Sequence, residues 1–331
     1  MPFGPFFNAV RGTTSGTPGT GSFTPNAAST GFLAWSTVPT GWIGLVRYED
    51  GSSWELAYGY WNGTLITRPS NIVASSSGSR LSLTSSATAS LVADGLFTAP
   101  NQITQGRGWI PLINGTTPTP IGVSAGTFTG TNAAVNLAAT NYLTEQPRSQ
   151  ITSATTANAQ SAFANGTAFA LHSTTAGRGG WMCAARFGAS QLPTGPRLFV
   201  GMTTTSMVGN TGEPSALTAN YATFAKDSTD TNIQLLVNSN ASTGTKTDTG
   251  IAMAANDWFH AQIWMQPGSS TVYGLLVKMN DGSIYYGSTA TDTPATGALL
   301  STNLVGGLSA TTGTAIILHF GGFWIRNGGM L

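Results

Sequence analysis

Between Ile43 and Thr67 the chain reads as three short β-prone runs, Ile43–Tyr48, Trp54–Tyr60 and Thr64–Thr67, separated by Asp50-Gly51-Ser52 and Asn62-Gly63. Both separators are turn chemistry, and Asn-Gly supplies the positive φ angles of a two-residue hairpin. The segment predicts a meander. Side chains on a strand alternate, so Trp54, Leu56, Tyr58 and Tyr60 share one face and Glu55, Ala57, Gly59 and Trp61 the other. A uniformly large, apolar row predicts the core face of the hairpin rather than a sticky platform for a ligand. Upstream, Arg11–Pro25 is rich in Gly, Thr and Ser; its composition suits a linker, or an extended edge strand anchored by Phe23. Downstream, Arg80–Leu83 alternates, and the module ends near Gly95.

Residues 96 to 175 carry weaker patterning. Gly108–Gly130 reads as short strands with turns, while Ala133–Leu143 and Ser153–Gly166 have the alanine content of short helices at a loose 3.6-residue period. This stretch predicts a connecting region or a second small β domain. From Gly180 the strand signal returns in seven apolar or alternating runs: Trp181–Gly188, Arg197–Met202, Asn232–Asn238, Trp258–Gln266, Val272–Asn280, Ser283–Ser288 and Ala315–Arg326. Asn280-Asp281-Gly282 joins two of them in the clearest hairpin of the chain. Such spacing argues for an antiparallel sandwich or jelly roll of about 150 residues. The expectation is an all-β protein: a small β meander or barrel over 1–95, the connecting region, and a jelly-roll-like antiparallel β-sandwich over 176–331. No solenoid repeat is present.

Composition narrows the function classes. In 331 residues only 8% are charged, against about 25% in ordinary soluble domains, and Gly reaches 42. Hydroxyls and amides must cover the surface. A formal net charge of +1 without blocks of like charge removes the field that steers proteins to phosphate backbones, so nucleic acid is not an expected partner. At 40% hydrophobic residues the chain is too apolar for disorder. The first residues, Met1 to Gly12, interrupt their apolar content with Pro2, Gly4, Pro5 and Asn8, which fits no signal peptide, and no stretch has the length of a membrane helix. Synthesis in the cytosol and no membrane insertion are the expectations.

Candidate chemistry is sparse. Cys183, the lone cysteine, sits between Trp181-Met182 and Ala184-Ala185 and reads as a small buried hydrophobe. His172, His260 and His319 are far apart, and the last two lie in apolar strands, so structural roles are favoured and no triad can be named. Most carboxylates fall in turns (Glu49, Asp50, Asp94, Asp227, Asp230, Asp281), where Asp bonds its own backbone. Asp227 to Asn232 offers oxygen ligands but not the spacing of a calcium loop, and no carboxylate pair for glycoside hydrolysis is visible. The Asn-x-Ser/Thr words at Asn62, Asn114, Asn165 and Asn240 follow from composition, and no phosphate loop is present. Neither catalytic, cofactor nor metal residues are expected. Binding remains: sugar sites on sandwiches combine aromatic faces with amides and hydroxyls, which makes Trp258, Trp264, Tyr273, Tyr285, Tyr286 and Trp324 the candidate glycan-binding residues, with core packing as the competing role for each.

The order of Phe7–Thr24, Gly31–Trp35, Val46–Trp61, Gly63–Pro69 and Val73–Ala87 resembles a module found at the N-terminus of virion structural proteins of tailed bacteriophages and phage-like particles. Arg197–Thr205, Gly212–Leu217, Thr231–Ala241 and His319–Asn327 look, more loosely, like the β-sandwich heads of phage fibres and receptor-binding proteins. The resemblance implies a virion appendage: residues 1–95 mount on a capsid, portal or tail protein, and residues 176–331 meet a host-surface glycan. It also implies a homo-oligomer, usually a trimer, assembled in host cytoplasm, without enzymatic activity. Absence of a heptad or β-helical shaft implies a short fibre or spike on head or tail. A capsid decoration protein without receptor binding and a polysaccharide-cleaving spike are the alternatives.

Overall fold

A computed structural model of the chain describes residues 10–38, 40–92, 107–110, 119–121, 126–166, 170–175, 179–307 and 313–327, with backbone alone for 107–110, 119–121 and 327. Residues 1–9, Asp94, Gly95 and the Asn114 glycosylation word lie outside them. Among the described residues there is no α-helix, only 3-10 turns at Trp35–Thr37 and Pro214–Ala216 and antiparallel strands. The fold class is all-β, as the patterning requires. Two compact units are present: residues 1–104 with Asp281–Tyr286, and residues 105–280 with 287–331.

The first unit is built on β1 (Arg11–Thr14), β2 (Pro25–Ala28), β3 (Trp42–Asp50), β4 (Ser53–Trp61), β5 (Ile66–Thr67), β6 (Ala74–Ser75) and β7 (Thr88–Leu91). They form one sheet in the order β2-β1-β7-β3-β4-β5, with β6 beside β4. The predicted meander is β3-β4-β5. Its first reversal is a two-residue loop between the paired Asp50 and Ser53, with Gly51 at φ 61°. The second is longer than the expected two residues: Trp61 pairs with Ile66, and the Asn62 side-chain oxygen accepts from the backbone N–H of Thr64 and Leu65. The Gly/Thr-rich Arg11–Pro25 is no linker, since β1 lies inside the sheet between β2 and β7 and Phe23 is fully buried.

The two faces of β4 do not divide as expected. The core cluster holds Ala57 and Trp61 with Val46, Tyr48, Ala89, Leu91, Phe23 and Ile66, while in the aromatic row Tyr58 and Tyr60 are buried and Trp54 and Leu56 are half-exposed. Glu55 therefore points inward and is fully buried. It is tolerated because the Arg68 guanidinium meets both carboxylate oxygens at 2.9 Å, and the N–H of Leu81 donates to one of them at 2.7 Å. Arg68 also donates to the carbonyls of Gly19, Gly21 and Leu81 and lies 4.8 Å from the centroid of the Tyr48 ring. One ion pair thus ties β4 to three loops. Burial drives the Tyr48 hydroxyl pKa far above its ordinary value.

The remaining strands are β8 (Arg107–Ile110), β9 (Thr119–Ile121), β10 (Thr127–Thr129), β11 (Thr131–Ala134), β12 (Ser149–Thr152), β13 (Gln160–Ala164), β14 (Ala170–Leu171), β15 (Trp181–Gln191), β16 (Arg197–Thr203), β17 (Asn220–Lys226), β18 (Asn232–Ser239), β19 (Thr245–Ala252), β20 (Asp257–Met265), β21 (Val272–Lys278), β22 (Ser283–Thr289), β23 (Leu299–Gly307) and β24 (Ile317–Asn327). Eight strands pair in the order β10-β13-β23-β16-β17-β18-β19, with β14 beside β23; nine pair in the order β11-β12-β24-β15-β20-β21-β22, with β8 and β9 continuing from β24. Rings from the two sheets meet in the middle, Phe163 lying 4.5 Å from Phe320 and 6.4 Å from Phe323. A Cβ on Gly274 of β21 would stand 2.9 Å from Phe224 and 3.0 Å from Leu235, atoms of the opposing sheet. The chain crosses between sheets repeatedly, which is the layering of a jelly-roll-like sandwich.

All seven runs read from Gly180 onward are strands. The described part of 96–175 departs from its reading: β10, β13 and β14 join one sheet of the sandwich and β11 and β12 the other. The alanine-rich stretches expected to be helical contain β11, turns and β13. Ala162 and Phe163 are buried in the sandwich, and packing between sheets overrides the weak helical preference of alanine. From Gly180 onward three strands, β17, β19 and β23, escaped the sequence reading because small and polar residues blur their alternation.

Replacement of Arg68 by Gln would leave Glu55 as a buried, unpaired charge and should cost the first unit about 3–5 kcal/mol. Urea unfolding of the full chain measures it. A Glu55→Leu/Arg68→Met pair should recover most of the loss, and an unshifted midpoint in R68Q would show that the ion pair does not hold the unit.

Candidate functional site

The nine-stranded sheet turns Cys183, Ala185 and Phe187 of β15, and Phe259, Ala261 and Ile263 of β20, toward the opposing sheet, so the alternate residues leave its outer face. Register places Gly188 opposite Trp258, Arg186 opposite His260, Ala184 opposite Gln262 and Met182 opposite Trp264. Across the other edge of β15, Arg186 pairs with Gly322 and Ala184 with Trp324, while Phe187 pairs with Phe320, so Gly321 is the extra residue of a β-bulge. Gly322 sits at φ 124°, a conformation that side chains rarely adopt. Bulges of this kind re-aim side chains, and here the bulge lies directly beside Arg186.

The guanidinium of Arg186 lies 5.7 Å from the centroid of the Trp324 ring, and no carboxylate pairs with it among the described residues. Arg186 is exposed, yet the crowding of protein around it lowers its pKa, an effect opposed by the neighbouring Tyr142 hydroxyl. Tyr142 is half-buried, and burial raises its pKa against the nearby Arg186 cation, with the exposed Glu145 also raising it. Beside Arg186, His260 is 8% exposed and Gln262 4%. Their nitrogens meet at 2.8 Å, which leaves His260 Nδ1 and Gln262 Oε1 without a hydrogen-bond partner. Flipping the amide exchanges donor for acceptor but still leaves one ring nitrogen and one amide atom open. Each such buried group costs about 1–3 kcal/mol relative to a satisfied one. Burial, with the Arg186 charge as a smaller contribution, pushes His260 down to about 3, so the ring is neutral.

A second polar cluster on the same face resembles a catalytic dyad but is wired the wrong way. His319 Nε2 lies 2.8 Å from Ser190 Oγ, and Arg148 Nε donates to His319 Nδ1 at 3.2 Å. With Nδ1 accepting, Nε2 carries the proton and donates to Ser190, so the ring cannot take the serine proton. Burial and the Arg148 charge push His319 down to about 3. His172 is fully buried, and burial lowers its pKa as well. The buried Cys183 thiol is pushed far above its ordinary value by burial and is inert.

The candidate aromatics divide. Trp258 is a core residue: it is 2% exposed and wedged between Gly188 and Gly321, where added Cβ atoms would stand 2.9 and 2.4 Å from its ring. Trp264 is also buried, stacked on half-buried Tyr273 with centroids 5.5 Å apart. Tyr285 and Tyr286, on β22 at the sheet margin, are buried. Of the six, Tyr273 and Trp324 remain partly exposed, and Trp324 stands beside the Arg186 guanidinium. Sequence reasoning missed Arg186, His260 and Gln262 as members of a site. The one available signal was polar residues at alternate positions in two otherwise apolar strands.

Oxygen ligands suggested for Asp227 and Asp230 are engaged, since Lys246 Nζ lies 2.6 Å from one carboxylate and 2.8 Å from the other. Among the described residues no group of three His, Cys, Asp or Glu is placed to hold a metal ion, and no helix is long and apolar enough to cross a membrane.

No family model matches the chain, and no curated protein sequence matches it. Among solved structures, a protein of unknown function from Shewanella oneidensis MR-1 is 14% identical, with 68% of this chain and 87% of that one covered at a TM-score of 0.46. Peanut lectin bound to a nine-residue peptide is 11% identical over 67% of this chain and 96% of its own, at 0.44. The carbohydrate recognition domain of Emp47p is 9% identical over 67% and 95%, at 0.43. At these scores none of the three carries an argument about the site.

In the unfolded chain His260 and His319 take up protons as pH falls through about 6.5, whereas in the folded protein they do so only near 3. Their contribution to stability is intact above pH 6.5 and is lost progressively toward pH 3. The thermal midpoint should fall between pH 7 and pH 4, less steeply in His260→Asn; equal slopes would place the titration elsewhere. A fluorophosphonate probe should leave Ser190 unlabelled at neutral pH, and labelling would reverse the proton assignment at His319.

Proposed function

We propose that the chain is a structural protein of a tailed-bacteriophage or phage-like particle, a short fibre or spike subunit whose C-terminal sandwich adheres to host-surface glycan. Residues 1–95 are the mounting module in this reading, gripping a capsid, portal or tail protein, and the working form is a homotrimer on the virion. What supports the first part is the ordered run of motifs from Phe7 to Ala87 and the fully β module they build. Adhesion rests on one observation above the others: the outer face of the nine-stranded sheet carries a half-exposed aromatic ring, Trp324, beside the exposed guanidinium of Arg186, which pairs with no carboxylate among the described residues.

A site of this kind is shallow, because sheet faces lack deep clefts, and single contacts on it are weak. Several copies on one particle convert weak sites into firm attachment through high effective concentration. Near-zero net charge keeps attachment insensitive to ionic strength except at the charged contact itself.

Adhesion is tested by binding the full-length protein to arrayed bacterial surface polysaccharides and to whole cells, with mass determination by light scattering for the trimer. Retention on some surfaces and not on others is expected. Failure to bind any surface removes the adhesion reading in favour of a decoration protein, and release of reducing ends from bound polysaccharide converts it to a cleaving spike.

A further inference from the structure

We propose that the connection Thr204–Ala219, between β16 and β17, is an acid-released strap: at neutral pH it covers an apolar outer face of the eight-stranded sheet, and protonation of Glu213 and Asp227 frees its second half and bares that face. The inference is independent of the adhesion reading, which concerns the other sheet.

Alternation creates the need for a cover. Phe224 and Leu235 meet the opposing sheet at Gly274, so Tyr221, Ala225 and Leu236 on the same two strands face outward. With Ala162, Phe199 and Val305 from three further strands they form a second apolar cluster, and Met207, Leu217 and Ala219 of the connection close it. The eight-stranded sheet is therefore apolar on both sides. Without the strap its outer side would be an exposed hydrophobic patch.

The strap is held by different chemistry in its two halves. In the first, Asn303 Oδ1 accepts from Ser206 Oγ at 3.0 Å and from the Met207 N–H at 3.3 Å, and Gln160 accepts from the Gly209 N–H and donates to the Asn210 carbonyl, both at 2.7 Å. Arg197 donates to the carbonyls of Thr211 and Gly212. Amides and guanidinium keep their form in mild acid. In the second half the clasp is a reciprocal pair of carboxylates: Glu213 on the strap accepts from the N–H and hydroxyl of Ser228 at 2.7 and 2.6 Å, while Asp227 accepts from the N–H of Ser215 on the strap at 3.0 Å and from its hydroxyl. Hydrogen bonds to an ionised acceptor are about twice as strong as neutral ones, so protonation weakens both ends of the clasp together. Gly209, at φ 82°, lies between the two sets of anchors and supplies the hinge.

The surrounding charges act in the same direction. Lys246 lies 2.6 Å from Asp227 and 2.8 Å from Asp230, Lys226 donates to the carbonyls of Pro196 and Asp227, and Arg197 senses Glu213. These three cations face three acids at neutral pH. Once Glu213 and Asp227 are neutral they face Asp230 alone and repel one another. The Tyr221 hydroxyl donates to the Ser215 carbonyl and, with its pKa raised by burial, stays protonated throughout. That bond, with those from Gly244 to Ser215 and from Asn238 to Leu217, tethers the half that opens and lets it reclose.

Hydrogen exchange read by mass spectrometry on the full chain, corrected for the intrinsic pH dependence of exchange, compares pH 7 with pH 4. We expect the amides of Ser215–Ala219 to lose protection roughly tenfold or more at pH 4 while the strands around Val200, Phe224 and Leu235 keep theirs, with an apolar fluorescent dye binding only at the lower pH. The Glu213→Gln/Asp227→Asn double variant should show both changes already at pH 7 and respond little to acid. Gln160→Ala should loosen the first half equally at both pH values. Protection lost by strap and strands together, protection of Ser215–Ala219 unchanged at pH 4, or a double variant that matches wild type at pH 7 overturns the proposal. The wild-type comparison decides alone where the double variant does not fold.

Discussion

A β-strand cannot turn one side chain inward without turning its neighbours to the opposite side, and where the described residues hold no α-helix this period of two governs every other feature. Burying Ala57, Gly59 and Trp61 of β4 brings Glu55 inside with them, and the first unit is arranged around the guanidinium that makes that burial possible. Burying Phe259, Ala261 and Ile263 of β20 sends Trp258, His260, Gln262 and Trp264 to the outer face, where Arg186 of β15 joins them by the same alternation. The ion pair and the candidate site are two outcomes of one geometric rule.

The scarcity of charge sharpens what each charge does. With 8% charged residues, carboxylates and cations either lock loops, as Arg68 and Lys246 do, or stand apart. A protein surface of hydroxyls and amides stays soluble through neutral hydrogen bonding with water, and its long-range field is small. Arg186 is among the cations that stand apart from carboxylates, and its partner is the ring of Trp324.

His260 and His319 are both held neutral by burial and by a neighbouring guanidinium, which removes them as acids at physiological pH. His319 donates to Ser190 instead of accepting from it, so the pair orients a hydroxyl without activating it.

The all-β class, the Asp50-Gly51-Ser52 and Asn280-Asp281-Gly282 reversals and the seven strands from Trp181 onward were legible in the sequence, because alternation and turn chemistry are local properties of a few adjacent residues. Which face of a strand is the core is not local. The aromatic row of β4 looked like the interior, yet Glu55 went inside, since Arg68 thirteen residues away could neutralise it. Ala162 and Phe163 joined a strand although alanine favours helices, because a neighbouring sheet offered pairing and burial. Three of the glycan candidates, Trp258, Trp264 and Trp324, share one face, but only partners brought from β15 and β24 decide that the first is wedged into the core and the last stands beside Arg186. The sequence by itself determined where strands begin and turn; pairing between residues distant along the chain decided which side chains are covered and which stay in contact with solvent.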